Sequence, residues 1–205
     1  MNEETTNPAE LVHDQAANQL VRKRHSFREE AWETIRFLLI AFAIVVPIRV
    51  FIAQPFIVSG ASMDPTFKDK QYLIVDELSY YLGDPSRGDV VIFKYPKNPK
   101  QYFIKRVIGL PGETVLVGNQ GQVSIKDKEG KVALTLSEPY VTHPKDDRVE
   151  RTLKLGEYFL MGDNRAGSFD SRAWGPVDRN LIVGKAFLRL FPVTAVDILP
   201  GQFRQ

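Results

Sequence analysis

From Phe37 to Ala53 the chain reads FLLIAFAIVVPIRVFIA, its one long apolar run, and no other stretch restricts the possible architectures as much. As a helix it would extend about 26 Å, near the lower limit for crossing a hydrocarbon core. Pro47 would bend such a helix, and Arg49 would have to snorkel toward the nearer interface. A buried core helix is one alternative, but such helices are seldom apolar around the whole circumference. A cleaved secretion signal is another; it would begin nearer the N-terminus and end at a small-x-small pair, which this run lacks. A single membrane anchor over 37–53 fits the length and the flanks best. Arg22, Lys23, Arg24, Arg28 and Arg36 crowd its N-terminal side, whereas Lys68 and Lys70 are the first cations beyond Arg49. The positive-inside rule then leaves residues 1–36 as a cytoplasmic tail and exports residues 54–205 to the periplasmic or lumenal side of the cell membrane. Phe51 and Phe56 fall near the outer interface. Residues 1 to about 20, polar and mildly acidic, read as a disordered or weakly helical tail.

Beyond the run the texture changes to short strands. Residues 71–76 (QYLIVD), 89–95 (DVVIFKY) and 102–108 (YFIKRVI) combine β-branched and aromatic residues between Gly and Pro punctuation. Residues 114–117, 123–126 and 132–136, separated by GNQG and DKEG, read as an antiparallel meander. Residues 143–151 are charged and read as a loop, and 158–161 and 181–190 supply late strands. The expectation is one mostly β domain of antiparallel sheet following one N-terminal transmembrane helix.

Composition removes several kinds of chemistry. With no cysteine there is no thiol nucleophile, disulfide or thiolate-held metal. His13, His25 and His143 are far apart and form no HExxH pair, so no metal site and no cofactor is expected. A formal net charge of +2 provides no broad basic field for nucleic acid. Hydrolysis, if this chain performs it, is then expected to proceed without metal, and no close His–carboxylate pair points to a histidine mechanism.

Two residues meet that demand. Ser62 lies in VSGASMDPT (residues 58–66), a run of small and turn-forming residues. Such a run can present a hydroxyl and a backbone N–H together, although taken alone it reads first as an ordinary turn. Lys105 lies within the strand 102–108. Alternation places Phe103, Lys105 and Val107 on one face and Ile104, Arg106 and Ile108 on the other. An ammonium flanked by apolar side chains loses hydration, and its pKa falls. A fall from about 10.4 to about 8 corresponds to roughly 3 kcal/mol, and the neutral amine can then take a proton from a serine hydroxyl. Taken alone, the strand is also compatible with a solvated edge lysine. The third element, residues 161–176 (MGDNRAGSFDSRAWGP), is rich in glycine and hydrogen-bonding side chains. It reads either as a rigid turn or as a loop that holds a catalytic group, with Asp170 and Arg172 able to pair.

Four blocks in order, SGASMDPT (59–66), RGDVVIF (87–93), KRVIGLPGE (105–113) and GDNRAGSFDSRAWGPV (162–177), resemble the bacterial type I signal peptidases, also called leader peptidases. These are membrane-bound Ser/Lys endopeptidases that remove signal peptides from exported preproteins. The resemblance implies Ser62 as nucleophile, Lys105 as general base and Ser168 as the hydroxyl that hydrogen-bonds and orients the lysine. It also implies Asp170 and Arg172 as a supporting pair, and an acyl-enzyme intermediate. Preprotein substrates would lie extended along Ile57, Val58 and Ser59 and along Tyr102, Phe103 and Ile104, with small side chains at the first and third positions before the cut. Some members have a serine two positions before the nucleophile as a second oxyanion donor. Here that place is Gly60, which leaves open whether the neighbouring Ser59 supplies one. A self-cleaving Ser/Lys regulator related to the SOS repressors is a second reading. It is disfavoured by the apolar run and by the lack of a helix-turn-helix pattern. A catalytically silent anchored binding protein is a third.

Overall fold

The computed structural model of the protein describes residues 8–47, 54–127 and 129–203. The chain divides into two compact units, residues 1–48 and 49–205.

The first unit is a single helix, α1 (Pro8–Pro47). The expected tail is therefore helical from Pro8 onward. Ala9, Glu10, Leu11, Gln15, Ala16, Ala17, Gln19 and Leu20 are strong helix formers, and proline suits a first turn. Phe37, Leu38, Leu39, Ile40, Phe42, Ile44 and Val45 are all exposed, so the helix carries apolar residues on every side. Among the described residues no helix is long and apolar enough to cross a membrane. Residues 48–53, which complete the apolar run and include Arg49 and Phe51, lie outside the described residues.

The second unit is built of antiparallel strands with two short helices. In chain order these are β1 (Gln54–Ile57), β2 (Tyr72–Asp76), α2 (Leu78–Leu82), β3 (Val90–Tyr95) and β4 (Asn98–Gly109). Then follow β5 (Thr114–Val117), β6 (Val123–Lys126), β7 (Val132–Thr135), β8 (Val149–Thr152) and β9 (Glu157–Met161). The last are α3 (Ser171–Trp174), β10 (Val177–Asp178), β11 (Ile182–Phe191) and β12 (Asp197–Ile198). The larger sheet runs β1-β2-β11-β3-β4-β9-β10, with β12 added to β11, and the smaller runs β7-β6-β5-β8.

The short elements β1, α2, α3, β10 and β12 are not announced by the sequence pattern, and two others differ from expectation in an instructive way. Strand β4 begins at Asn98, because the hairpin with β3 extends through the exposed residues 98–101, which carry no burial pattern to announce them. Strand β8 takes up the end of the segment read as a charged loop. It pairs with β5 through its backbone while its charged side chains stay out, Glu150 bridging to Lys126 at 2.8 Å.

Alternation along β3 and β4 divides the core of the larger sheet. Ile92 and Ile104 point to a cluster with Val58, Met63, Phe67, Leu73, Val75 and Val90. Val91, Phe93 and Val107 point to the other side, among Tyr80, Tyr158, Leu160, Trp174, Val177 and Ile182. The sheet curls enough that the Phe56 ring on terminal strand β1 lies 5.5 Å from that of Tyr102 on β4.

Candidate active site

Ser62 sits in the connection from β1 to β2. Met63 and Phe67, both fully buried, anchor this connection in the core, so residues 59–62 are held at the surface above it. Gly60 has φ +87°, the left-handed region, and its N–H donates to Asp69 Oδ1 at 2.9 Å. A β-carbon there would meet nothing, so the backbone angle rather than space favours glycine at this position. Among the described residues the Ser62 N–H makes no hydrogen bond.

Lys105 arrives from β4, opposite Val91 of β3, with 4% of its surface exposed. Its Nζ donates to Ser62 Oγ at 2.6 Å and to the Ile104 carbonyl at 2.9 Å, and lies 5.7 Å from the centre of the Phe103 ring. Burial lowers its pKa to about 8 from the ordinary 10.5; the carboxylates of Asp170 and Asp163 oppose the fall and the Arg172 guanidinium adds to it. At neutral pH a usable fraction of this amine is uncharged.

The segment 162–172 closes over the pair. Asn164 grips the Ser62 loop twice: its N–H donates to Ser62 O at 3.1 Å and its Nδ2 to Ala61 O at 3.0 Å. Asp170 is fully buried and receives Arg172 Nε and Nη2, each at 2.8 Å, one on each carboxylate oxygen. It also accepts the N–H of Gly162 at 3.1 Å and caps α3 through the Arg172 N–H. Burial alone would raise the Asp170 pKa, but the bonds from Arg172 outweigh it and hold the carboxyl below its usual range. Arg172 continues to Asp147 Oδ2 at 2.9 Å and to the Arg165 carbonyl at 2.7 Å.

Ser168 stands apart from its expected role. Its buried Oγ lies outside ideal hydrogen-bond geometry but near enough to Asp170 to help lower that carboxyl's pKa, and the expected bond to Lys105 is not formed among the described residues. The hydroxyl packs instead against Gly162, where a β-carbon would come within 2.3 Å of both Ser168 Oγ and Ser62 O. Glycine at 162 is thus what lets the two serine-bearing segments approach each other.

Sequence reasoning missed the ion pair beneath this layer. Arg106 and Asp163, both fully buried, join through Nε–Oδ1 (2.8 Å) and Nη2–Oδ2 (2.5 Å). Thr66 Oγ1 donates to Asp163 Oδ2 at 2.5 Å, and the Tyr140 ring covers the Arg106 guanidinium at 3.9 Å. Asp163 therefore ties the Ser62 loop to β4. Alternation correctly turned Arg106 away from the face of Lys105, but nothing local pointed to a partner 57 positions later.

Ser62 and Lys105 open into a cleft of about 310 Å³. Every residue expected to hold an extended peptide lines it: Ile57, Val58 and Ser59 from one wall and Tyr102, Phe103 and Ile104 from the other. Among the described residues both walls carry unpaired strand edges. Strand β1 is terminal in its sheet, and β4 meets β9 only from Arg106 onward. Phe56, Leu73, Ile92, Gly167 and Phe169 complete the lining. Among the described residues there is no His, Cys, Asp and Glu cluster able to hold a metal.

The profile of the family described as "Signal peptidase, peptidase S26" matches residues 31–191. The probable signal peptidase I-2 of Synechocystis sp. is 36% identical over 185 residues, covering 87% of this chain and 82% of its own. Signal peptidase I of Bacillus amyloliquefaciens is 36% identical over 173 residues, covering 78% of this chain and 86% of its own. A crystal structure of a signal peptidase I from Enterococcus faecalis shares 31% identity over 50% of this chain and 97% of its own, with a TM-score of 0.43. By its sequence match the chain belongs to the signal peptidase family, peptidase S26, whose members are serine endopeptidases.

Proposed function

We propose that this chain is a membrane-bound endopeptidase that removes N-terminal signal peptides from exported preproteins, with Ser62 as nucleophile and Lys105 as general base. The observation that carries the reading is the 2.6 Å contact between Lys105 Nζ and Ser62 Oγ, made by a lysine whose burial brings its pKa down to about 8. As an ammonium the lysine donates across this contact. Once neutral, it accepts the serine proton across the same contact.

Ser62 Oγ then adds to the scissile carbonyl, and the developing oxyanion receives the free Ser62 N–H. Collapse breaks the C–N bond; the Lys105 ammonium returns its proton to the departing amine of the mature protein, leaving the signal peptide esterified to Ser62. Lys105 next takes a proton from water, the hydroxide attacks the ester, and Ser62 Oγ leaves with that proton. Asn164 and Asp163 hold the Ser62 loop, while Asp170 and Arg172 hold the segment above it. Ser168, buried beside Gly162 and next to Asp170, is the hydroxyl assigned to orient the lysine during turnover. Substrate enters by adding a strand between β1 and β4, with small side chains at the first and third positions before the cut.

Residues 37–53 form the anchor in this reading, with residues 1–36 cytoplasmic and 54–205 extracytoplasmic. The basic residues before the run and the exposed apolar residues all round α1 support it. Anchoring keeps the cleft at the membrane surface where a signal peptide emerges. Purified full-length protein in detergent should cut a signal-peptide-bearing substrate at one site, read by mass spectrometry, and Ser62→Ala, Lys105→Ala and Lys105→Arg should not. The arginine variant fails because a guanidinium keeps its proton at any usable pH. Normal turnover by any of the three would sink the dyad.

A further inference from the structure

Resting on the strand-addition reading above, we infer that the cleft has a second, aromatic wall built by Phe169 and Phe103 and backed by Tyr95, which selects the side chain at the second position before the cut. The cleft straddles the free edge of β4, so it has walls on both faces of that strand. On one face stand Ile104, Ile92, Leu73 and Val58, packed in a single apolar cluster with Phe56 against it. On the other, Phe103 stacks on Tyr95 with ring centres 4.9 Å apart, and the Tyr95 ring meets the edge of Phe169 at 6.2 Å. Trp174, 5.8 Å from Tyr95, backs this group from the core.

Phe169 is the telling member. It belongs to the segment that closes over Lys105, lines the cleft, and leaves 56% of its surface exposed despite its aromatic neighbours. An exposed phenylalanine continuous with a supported aromatic group offers an edge or face to an incoming apolar side chain.

Side chains of a strand alternate between the two faces of the sheet it joins. A peptide that adds to β4 and sends its first and third residues toward the Ile104 wall must send the second toward Phe103 and Phe169. That residue is long enough to reach the wall only if it is large. The preferred substrate is therefore an extended peptide with small residues at the first and third positions and an aromatic or bulky apolar one between them.

The test uses purified full-length protein in detergent and a series of peptides that differ at the second position before the cut (Phe, Leu, Ala, Asp). Wild type should favour Phe over Ala by about threefold to tenfold in kcat/KM, the range of one added aromatic contact, through KM rather than kcat. In Phe169→Ala that ratio should fall to about one, and Phe169→Tyr should restore it, since tyrosine keeps the ring. A preference that survives in Phe169→Ala overturns the inference. So does a uniform loss on all four peptides, which would mean that Phe169 only shapes the loop. Selectivity found at the first or third position in place of the second overturns the alternation. Failure of wild type to cut any signal-peptide-bearing substrate would instead overturn the peptidase reading on which this inference stands.

Discussion

Replacing Lys105 with methionine should abolish turnover and make the protein more stable at neutral pH. The side chain is nearly inaccessible, and burial lowers its pKa from 10.5 to about 8. At 1.36 kcal/mol per pH unit, keeping the ammonium in place costs the folded state about 3 kcal/mol. The sign follows from proton counts. Between pH 8 and 10.5 the unfolded lysine is protonated and the folded one is not, so stability rises with pH across that window. Below pH 8 the whole penalty applies; above 10.5 it is gone. Methionine has nearly the same length and no charge. Its cost is the loss of a donor to Ser62 Oγ and the Ile104 carbonyl, roughly 1 kcal/mol in total because Ser62 is only half-buried. The expected net gain at pH 7 is about 2 kcal/mol, shrinking to nothing or reversing near pH 10.5. Urea unfolding of wild type and variant in the same detergent, at pH 7 and pH 10, measures it as a difference in midpoint at constant slope. A variant less stable than wild type at pH 7, or a difference that does not change with pH, would refute the claim that Lys105 is held against its own desolvation.

The kcat/KM of wild type should climb with pH through a single titration near the lowered Lys105 value of about 8 and fall away at acid pH; a profile flat from pH 6 to 9 would contradict a lysine base. Gly162→Ala should cut activity by about 100-fold or more with little change in circular dichroism, because its β-carbon would displace the Ser62 carbonyl, while activity within threefold of wild type would show that the two loops need not touch. Asp163→Asn should destabilise by about 3–5 kcal/mol, since it leaves Arg106 charged and fully buried without its counter-ion; a loss under about 1 kcal/mol would show the pair to be dispensable.

Most of the longer strands of the second unit could be read from sequence because their pattern is local. Val90–Tyr95 and Thr114–Val117 combine β-branched content with sharp Gly and Pro boundaries, and both appear where expected. Elements recruited by backbone pairing alone could not: Val149–Thr152 looks like a charged loop until β5 supplies it with partners. The division of the second unit into two sheets was equally hidden, because the meander β5-β6-β7 has the same alternation whether it extends the first sheet or starts another.

The site shows the same division. Ser62, Lys105 and the polar segment 162–172 could be singled out by residue type and setting, and the faces of Phe103, Lys105 and Arg106 followed from alternation. The two-handed grip of Asn164 on Ala61 and Ser62, the Arg106–Asp163 pair and the position of Ser168 could not be inferred. Each joins segments about 60 to 100 residues apart, or depends on a side-chain rotamer that the packing selects.

By itself the sequence determined which chemistry was open to this protein. Without cysteine, thiol chemistry was closed; four ordered blocks resembling the signal peptidases pointed to a serine and a strand-borne lysine, and strand periodicity is enough to turn that lysine toward apolar neighbours. Tertiary structure decided that the amine is dry and that it meets the hydroxyl. Desolvation depends on how many atoms surround a group, and those atoms come from β3, β4 and the 162–172 segment together. A 2.6 Å contact across 43 positions exists only once the sheet has curled and the loop has closed.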